Sequence, residues 1–392
     1  MRRREFVSLL GGAALAPLAA QRLHADPPDS CGVPLARGDG WPVASLGEDE
    51  FVDRNALCGT ADRLTASAAN VHAILVARGG KLVFERYFRG PDEIPGRIFG
   101  RRVKEVAFDA DTLHDMKSVS KSVASLAVGI AIDRGLIRSV NEPIFTFFPE
   151  LSDLRSPEKD QIQLVHALTM SMGLKWAEAT PATGDYNNDE ARMHMAWDPC
   201  RYVLGLAATA PAGRDFFYNT GALTLVSAIV RKATGRPLDE FARTTLFEPL
   251  GIAGTEWSRV RGDTDAGGGL RLRPRDMAKI GQLVLAGGRW NDRQIVSKTW
   301  IETSTAPKIT GTDGLSYGYL WWLGRSTLDG REVHWAGALG RGGQSIRIVP
   351  ELDLVVVVTA GYYQDYSPHA FQVQSGIFRD VLRGVRLRSS KF

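Results

Sequence analysis

Ser118 and Lys121 are the pair in this 392-residue sequence whose types and spacing best fit covalent catalysis. They are three positions apart, so a helix would place the hydroxyl and the amine on one face, one turn apart. A serine hydroxyl is a poor nucleophile until a base takes its proton, and burial can make a lysine neutral enough to act as that base. The spacing therefore predicts a nucleophile and its base, although Ser-x-x-Lys alone also matches unrelated chains.

The residues that follow Ser118 have the periodicity of a buried helix. Apolar residues recur at helical spacing: Val119, Val123, Leu126 and Ile130. Gly135 suits the position just past the helix end. Ser118 falls at the helix start, where unpaired N–H groups and the helix dipole favour a developing negative charge. The plainer alternative is a solvated Lys121 on an amphipathic helix that Ser118 caps.

Composition places the chain among ordinary globular proteins with a large core, since 44% of its residues are hydrophobic and 23% are charged. The formal net charge is +4, and it would be +2 without residues 1–20, which include Arg2, Arg3 and Arg4. Because the mature chain would be close to neutral, we expect no nucleic-acid partner. No stretch after residue 20 approaches the roughly 18 apolar residues of a membrane helix, so no stable membrane insertion is expected. No organic cofactor is expected, because the chain has no Gly-x-Ser-x-Gly and no Gly-x-Gly-x-x-Gly after a strand.

The N-terminal segment indicates export. Residues 3–7 have the twin-arginine form Arg-Arg-x-Phe-apolar, and a weakly apolar run over residues 9–20 ends in small residues. We expect a Tat-type signal peptide over residues 1–25, cut after Ala20 or Ala25. The mature bacterial protein would then be periplasmic or secreted, and the export machinery would be a partner.

The spacing of cysteine and histidine predicts no metal site. The three cysteines form no Cys-x-x-Cys, and the seven histidines never fall at His-x-His or His-x-x-x-His spacing. In an oxidising compartment Cys31 and Cys58 would pair and leave Cys200 free. Three reduced, buried thiols are the other alternative, and the sequence leaves both open.

Strand signals lie at both ends of the chain. Val71–Arg78, a Gly-Gly turn and Lys81–Tyr87 predict a hairpin, and residues 89–114 predict a loop. Apolar β-branched and aromatic runs predict four further strands, over residues 317–323, 332–338, 344–349 and 352–360.

Helical signals lie mainly between these strands. Predicted helices cover residues 51–69, 163–172, 222–234, 238–247, 274–285 and 371–382. The fold class is therefore α/β (α+β), with an antiparallel sheet built from both chain ends, flanking helices and an inserted all-helical lobe. After the signal segment, residues 26–392 would form this domain. Its α/β lobe would take about residues 50–115 and 310–392, and its helical lobe about residues 116–309. The active site would lie between the lobes.

Several stretches, in this order, resemble the serine β-lactamase and penicillin-binding-protein superfamily. The resemblance is closest to its class C β-lactamase-related branch, which includes esterases and nylon-oligomer hydrolases. It covers about residues 50–385 and implies a β-lactamase-like fold. The stretches that carry it are residues 117–123, 164–174, 217–221, 233–235, 268–270, 275–281 and 340–344.

The resemblance also implies roles for residues in these stretches. Ser118 would be the nucleophile that forms an acyl-enzyme, and Lys121 would hold or take its proton. Tyr218 would share the role of base, because a cationic lysine stabilises a neighbouring phenolate. The backbone N–H groups of Ser118 and Arg341 would form the oxyanion hole.

Substrate-binding residues are predicted around these groups. Thr220 and Gly340 belong to the second and third motifs of the resemblance. The composition of residues 175–200 suggests that aromatic side chains line the pocket, namely Trp176, Tyr186 and Trp197.

Two motifs depart from the family pattern of Ser-Asp-Asn and Lys-Thr-Gly. The second reads Tyr218-Asn219-Thr220, with threonine in place of the usual asparagine. Another register would place Phe217 at the tyrosine position. The number of residues between Tyr218 and Gly235 matches the family spacing and favours the register with Tyr218 at that position. The third reads Ala-Leu-Gly at residues 338–340 and lacks the Lys or His that helps to hold a substrate carboxylate.

The sequence therefore favours a serine hydrolase that cleaves a small ester or amide through a Ser118 acyl-enzyme. A β-lactamase or D-Ala-D-Ala carboxypeptidase is the first alternative, and the missing basic residue argues against it unless Arg341 or Arg347 supplies the charge. A catalytically weak ligand-binding or sensor protein on the same scaffold is the second alternative. The presence of Ser118 with Lys121 and a tyrosine argues against that one.

Overall fold

The structure, a computed structural model, describes residues 31–44, 52–95, 101–178, 187–365 and 368–385. The predicted signal peptide and Tyr186 lie outside these residues, so export stays a prediction. Cys31 and Cys58 are each disulfide-bonded, and Cys200 is a free thiol. This is the oxidised one of the two alternatives, and it is compatible with an oxidising compartment. None of the described helices has the length and apolar character of a transmembrane span.

The helices and strands are numbered here in chain order. The α-helices are α1 (Arg54–Ala66), α2 (Val119–Asp133), α3 (Ile144–Phe147), α4 (Leu164–Leu168), α5 (Asp189–Met195), α6 (Pro199–Gly205), α7 (Gly221–Thr234), α8 (Leu238–Ala242), α9 (Pro274–Leu285), α10 (Lys298–Ser304) and α11 (His369–Gly384). Short 3₁₀-helices cover Pro149–Leu154, Lys159–Gln161, Glu248–Leu250 and Pro350–Leu352, and a π-helical turn covers Arg243–Phe247.

The strands are β1 (Val71–Arg78), β2 (Lys81–Tyr87), β3 (Arg89–Pro95), β4 (Arg101–Ala107), β5 (His114–Asp115), β6 (Glu256–Trp257), β7 (Arg259–Val260), β8 (Asp263–Thr264), β9 (Leu270–Leu272), β10 (Arg289–Trp290), β11 (Arg293–Gln294), β12 (Ile309–Thr310), β13 (Ser316–Tyr317), β14 (Trp322–Leu328), β15 (Arg331–Gly340), β16 (Gln344–Val349) and β17 (Leu354–Ala360).

One eight-stranded sheet contains strands from both ends of the chain, in the order β12-β13-β14-β15-β16-β17-β1-β2. All neighbouring strands in it are antiparallel, and β17 pairs with β1. Every residue of β1 is buried, which is typical of a strand that is covered on both faces. The predicted fold class and the predicted origin of the sheet are confirmed.

Helices cover both faces of this sheet. Ile346 in β16 contacts α9 at Gly281, whereas the next residue, Arg347, donates to the Gln374 carbonyl of α11 at 3.3 Å. Successive side chains of a strand point to opposite faces, so α9 and α11 lie on opposite faces of the sheet. Helix α2 contacts both the sheet, at β15 and β16, and the helices α7 and α8. The helix that begins at Ser118 is therefore fixed between the sheet and the inserted helices.

Elements with strong local signals are where the sequence predicts them. Strands β1 and β2 and helix α9 have the predicted bounds. Helix α7 is followed by Gly235, as predicted, and the φ of +72° at this glycine suits a helix terminus. The predicted loop over residues 89–114 is wrong, because it contains the β3–β4 hairpin, whose glycine, prolines and charges hide any alternation.

Two further predicted bounds are wrong. The strand predicted over residues 317–323 is interrupted at Leu320, whose φ is +65°, so β14 begins only at Trp322. The helix predicted over residues 163–172 ends at Leu168, and Met170 has a φ of +56°. Both are left-handed conformations at non-glycine residues, which a sequence pattern does not reveal.

We expect Gly281→Ala to lower the free energy of unfolding by about 1 kcal/mol. An added Cβ would lie 2.5 Å from Val355 Cγ1 and 2.9 Å from Ile346 Cγ2. The cost of overpacking, about 1–3 kcal/mol, exceeds the gain in helix propensity, which is at most about 1 kcal/mol.

Gly376→Ala in α11 is the matched control, because among the described residues nothing beyond the neighbouring backbone of α11 lies within 4 Å of a Cβ added there. It should raise the free energy of unfolding by roughly 0.5–1 kcal/mol. Urea titration measures both changes. A Gly281→Ala variant more stable than the parent would contradict the packing of α9 on the sheet.

Candidate active site

Ser118 is the N-cap residue of α2, and its half-buried hydroxyl contacts the lysine that the sequence singles out. The Ser118 Oγ accepts a hydrogen bond from Lys121 Nζ at 2.9 Å. Lys121 is only 2% exposed, and the Ser118 side chain makes no capping bond to α2. The plainer alternative, a solvated lysine on a helix that Ser118 caps, is therefore wrong.

The backbone immediately before Ser118 is held in a strained conformation. Lys117 has a φ of +48°, which side-chain-bearing residues rarely adopt. Asp115 holds it there, since its carboxylate accepts from the Lys117 N–H at 3.0 Å and pairs with Lys117 Nζ at 3.2 Å. Met116 donates to the Leu270 carbonyl of β9 at 2.9 Å. Strain of this kind persists only where the surrounding structure imposes it, which is common at functional sites.

Lys121 directs its three N–H donors at three oxygen atoms. Besides Ser118 Oγ, its Nζ donates to the Gly267 carbonyl at 2.6 Å and hydrogen-bonds the Tyr218 side chain. The same nitrogen lies 5.1 Å from the centroid of the Tyr218 ring. Gly267 allows this approach, because a Cβ there would lie 2.5 Å from Thr220 Cγ2. The structure thus brings the three predicted catalytic residues into one hydrogen-bonded group.

The charge state of Lys121 differs from the expectation. Burial lowers the pKa of Lys121, but Tyr218, Glu178 and Glu190 together raise it by more, so its pKa lies above the ordinary value. The expectation that burial makes Lys121 neutral is therefore wrong, because nearby acidic groups outweigh desolvation. An ammonium cannot accept the Ser118 proton, which leaves Tyr218 as the candidate base.

Glu178 is the residue of this site that the sequence reasoning missed. Its Oε2 accepts from Trp176 Nε1 at 2.6 Å and from the Thr220 N–H at 2.7 Å, and its Oε1 accepts from Thr220 Oγ1 at 3.1 Å. Burial raises the pKa of Glu178, although the charge of Lys121 opposes the shift. A single carboxylate in a polar stretch carries no sequence signal for such a role.

Trp176 and Thr220, both predicted to bind substrate, lie beside Glu178. Each is 3% exposed, and the polar side-chain atom of each donates to the Glu178 carboxylate. A Cβ on Gly221 would lie 2.7 Å from the Trp176 ring, so the indole packs directly against the start of α7. Through these bonds to Glu178, both residues help to hold the segment that contains Tyr218.

The structure supports the register that places Tyr218 at the catalytic position. Tyr218 contacts Lys121, whereas Phe217 is 54% exposed. Asn219 is buried, and its Oδ1 accepts from the Ala222 N–H at 3.2 Å. Asn219 therefore caps the start of α7 instead of joining the site.

An aromatic cluster borders Tyr218, and the sequence reasoning did not find it. Trp322 stacks on Tyr218 with ring centroids 6.1 Å apart and an interplanar angle of 15°. Tyr317 and Phe216 pack edge-on against Trp322 at 4.8 Å and 5.6 Å. These four rings form an apolar wall next to the candidate base.

The end of β15 lies against the backbone that precedes Ser118. A Cβ on Gly340 would lie 2.6 Å from the Met116 carbonyl oxygen and 3.3 Å from Lys117 Cβ, so only glycine fits. Arg341 follows Gly340 and begins the turn to β16. The structure thus brings together the two segments whose N–H groups were predicted to form the oxyanion hole.

Arg347 and Trp197 do not have the roles considered from the sequence, which were binding of a substrate carboxylate for Arg347 and lining of the pocket for Trp197. Arg347 is 2% exposed, with its guanidinium carbon 4.7 Å from the Phe378 ring centroid on the α11 face of the sheet. Burial lowers the pKa of Arg347 to about 9. Trp197 is 88% exposed and covers Arg261, with 5.6 Å between the guanidinium carbon and the ring centroid. Arg347 is therefore no ligand for a substrate carboxylate.

Comparisons with known proteins agree with this fold. The chain belongs to the beta-lactamase family, whose family model matches residues 61–367. The 6-aminohexanoate-dimer hydrolase of Paenarthrobacter ureafaciens is 25% identical over 343 residues, covering 80% of this chain and 78% of that protein. Esterase EstB of Burkholderia gladioli is 26% identical over 193 residues, covering 45% of this chain and 44% of that protein.

A solved structure extends the likeness over nearly the whole chain. The structure of a provisionally named 6-aminohexanoate-dimer hydrolase from Bacillus anthracis superposes with a TM-score of 0.68 at 22% identity. The match covers 91% of this chain and 88% of that one. This likeness establishes the fold, and the curated relatives are hydrolases. The chain is accordingly a hydrolase of the beta-lactamase fold.

Glu178→Gln should lower the pKa of Lys121, because it removes one of the negative charges that raise it. NMR of protein labelled at the lysine side chains, titrated with pH, measures this pKa directly and needs no substrate. Surface Glu158, whose carboxylate bonds Ser156, is the matched control, and Glu158→Gln should leave Lys121 unchanged. A Lys121 pKa that is the same in Glu178→Gln and the parent would contradict the electrostatics described here.

Proposed function

We propose that this protein is a serine hydrolase that cleaves small esters or amides through an acyl-enzyme on Ser118. The observation that carries the proposal is the 2.9 Å hydrogen bond between Lys121 Nζ and Ser118 Oγ, in a group that also includes Tyr218. A hydroxyl that accepts a hydrogen bond from a charged donor, with a candidate base bonded to the same donor, has the requirements of an activated nucleophile.

In the acylation step, Tyr218 reacts as the phenolate and accepts the Ser118 proton as Oγ attacks the carbonyl carbon of the substrate. Lys121 keeps its charge, and its ammonium stabilises the Tyr218 oxygen while that oxygen is negative. The proton then passes from Tyr218 to the leaving alcohol or amine as the bond to the acyl carbon breaks. In deacylation, water attacks the acyl carbon and gives a proton to Tyr218. The bond from the acyl carbon to Ser118 Oγ then breaks, the acid leaves, and Tyr218 returns the proton to Oγ.

The backbone N–H groups of Ser118 and Arg341 are the proposed oxyanion donors. Two features support this assignment: the position of Ser118 at the start of α2 and the close approach of Gly340 to Met116. The N-terminus of a helix favours negative charge, so the dipole of α2 adds to the stabilisation. Donors of this kind are typically worth about 10²–10³ in kcat each.

Acyl groups that carry no carboxylate fit the site best. Ala338 occupies the place where related β-lactam enzymes have a basic residue, and Arg347 is buried away from Ser118. The aromatic cluster of Phe216, Tyr218, Tyr317 and Trp322 provides an apolar surface beside the base. The printed activities of the relatives, on an aminohexanoate dimer and on esters, also favour small esters and linear amides.

Kinetics on p-nitrophenyl butyrate, 6-aminohexanoate dimer and a chromogenic cephalosporin test the proposal. We expect Ser118→Ala to lower kcat/KM for the preferred substrate by about 10³-fold or more, and Tyr218→Phe by about 10²-fold or more. Ser125→Ala is the matched control on the same helix, because Ser125 is buried and its hydroxyl has no hydrogen-bond partner among the described residues.

The control should retain the activity of the parent. Equal rates for Ser118→Ala and the parent would overturn the assignment of the nucleophile. A cephalosporin turned over faster than both other substrates would favour the β-lactamase alternative. A folded parent with no activity on any of the three would favour the sensor alternative.

A further inference from the structure

A second cluster of chemistry-bearing side chains lies on the strands that lead to Ser118. It consists of His72 on β1, Asp92 on β3 and His114 on β5, each no more than 2% exposed. One potential ligand atom from each residue lies within 4.8 Å of the others. The three come from separate strands, so the spacing of histidines along the sequence does not reveal them.

The outer nitrogen of each imidazole faces groups that only accept hydrogen bonds. His72 Nε2 lies 2.8 Å from Asn70 Oδ1, and the Asn70 amide is oriented by its own donation to the Pro91 carbonyl at 3.1 Å. His114 Nδ1 lies 3.0 Å from the Asp115 carbonyl oxygen. A neutral imidazole has one N–H, so each ring uses its single proton on this outer side.

The two inner nitrogens therefore face each other as lone pairs. His72 Nδ1 and His114 Nε2 are 2.8 Å apart. Two facing lone pairs repel unless a cation lies between them, and neutral imidazole is the form that binds metals.

Asp92 adds the negative charge that a cation site requires. Its Oδ1 accepts from the Tyr363 hydroxyl at 2.9 Å. The Tyr363 oxygen also lies 3.3 Å from His114 Nε2. Two imidazoles, one carboxylate and one phenol oxygen thus converge on a small buried volume.

The surroundings hold the His72 ring in place. Phe108 stacks on it with a centroid distance of 3.9 Å and an interplanar angle of 16°. A Cβ on Gly90 would lie 3.2 Å from His72 Nε2, and a Cβ on Gly361 would lie 2.7 Å from His72 Cε1. Larger residues at either glycine would displace the ring, so the orientation of the His72 ring is set before any ion binds.

We propose that His72, Asp92 and His114, with Tyr363 as a fourth ligand, bind one divalent transition-metal ion of the Zn²⁺ class. Four protein ligands without an open position are typical of a structural site. Zn–N bonds of about 2.0–2.1 Å place tetrahedral ligands about 3.3 Å apart, so the imidazoles separate slightly on binding. The ion ties three strands together next to the Asp115 that holds the Ser118 loop. This proposal departs from the absence of a metal that histidine spacing predicts.

Metal analysis of the full chain, purified with a tag that contains no histidine and without chelator, tests the proposal. We expect about one Zn²⁺ per chain after dialysis against Zn²⁺, and a tetrahedral Co²⁺ absorption spectrum after substitution with Co²⁺. Removal of the ion should lower Tm by roughly 3 °C or more. These measurements use the parent protein and do not depend on a variant that folds.

Variants then locate the ion. His72→Gln and Asp92→Asn should each weaken Zn²⁺ binding by at least about 100-fold, whereas His369→Gln, on the half-exposed start of α11, should bind as the parent does. A folded parent that takes up neither Zn²⁺ nor Co²⁺ would overturn the proposal and leave a polar cluster without a metal. Unchanged uptake by folded His72→Gln and Asp92→Asn would also overturn it, because the ion would then lie elsewhere.

Discussion

The buried ammonium of Lys121 is the interaction on which the site depends. It joins α2, the strand region before β9 and the segment before α7, because Ser118, Gly267 and Tyr218 all bond to one nitrogen. A lysine that is almost fully buried is costly to charge unless acceptors and negative groups surround it. Here the three acceptors come from three different parts of the chain, so the buried charge is compensated only when all three parts are in place. Glu178 extends the group by supporting the tyrosine segment.

Parts of this arrangement could be predicted because their signals are local. Pro274 at the start of α9 and Gly235 after α7 mark helix ends, and the apolar run of β1 marks a buried strand. The Ser118–Lys121 contact also follows from helical spacing alone. Each of these features depends on residues within a few positions of one another.

The remaining features depend on residues that are distant in sequence. Tyr218 and Glu178 raise the pKa of Lys121 across more than fifty positions, and the charge state of the lysine follows from these groups and not from its own burial. His72 and His114 meet only because β1 and β5 are neighbours in the fold. The left-handed backbone of Leu320, which displaces β14, likewise has no sequence signature.

The most direct test of the account is the reaction with a fluorophosphonate, an acyl-transfer mimic that forms a stable adduct with an activated serine. Peptide mass spectrometry locates the adduct, and the rate of its formation is compared between the parent and Tyr218→Phe. The account predicts a single adduct on Ser118, with a rate at least about 10²-fold lower in Tyr218→Phe. An adduct on another residue, or an equal rate in Tyr218→Phe, would contradict a Ser118 nucleophile that is activated by Tyr218 beside a charged Lys121.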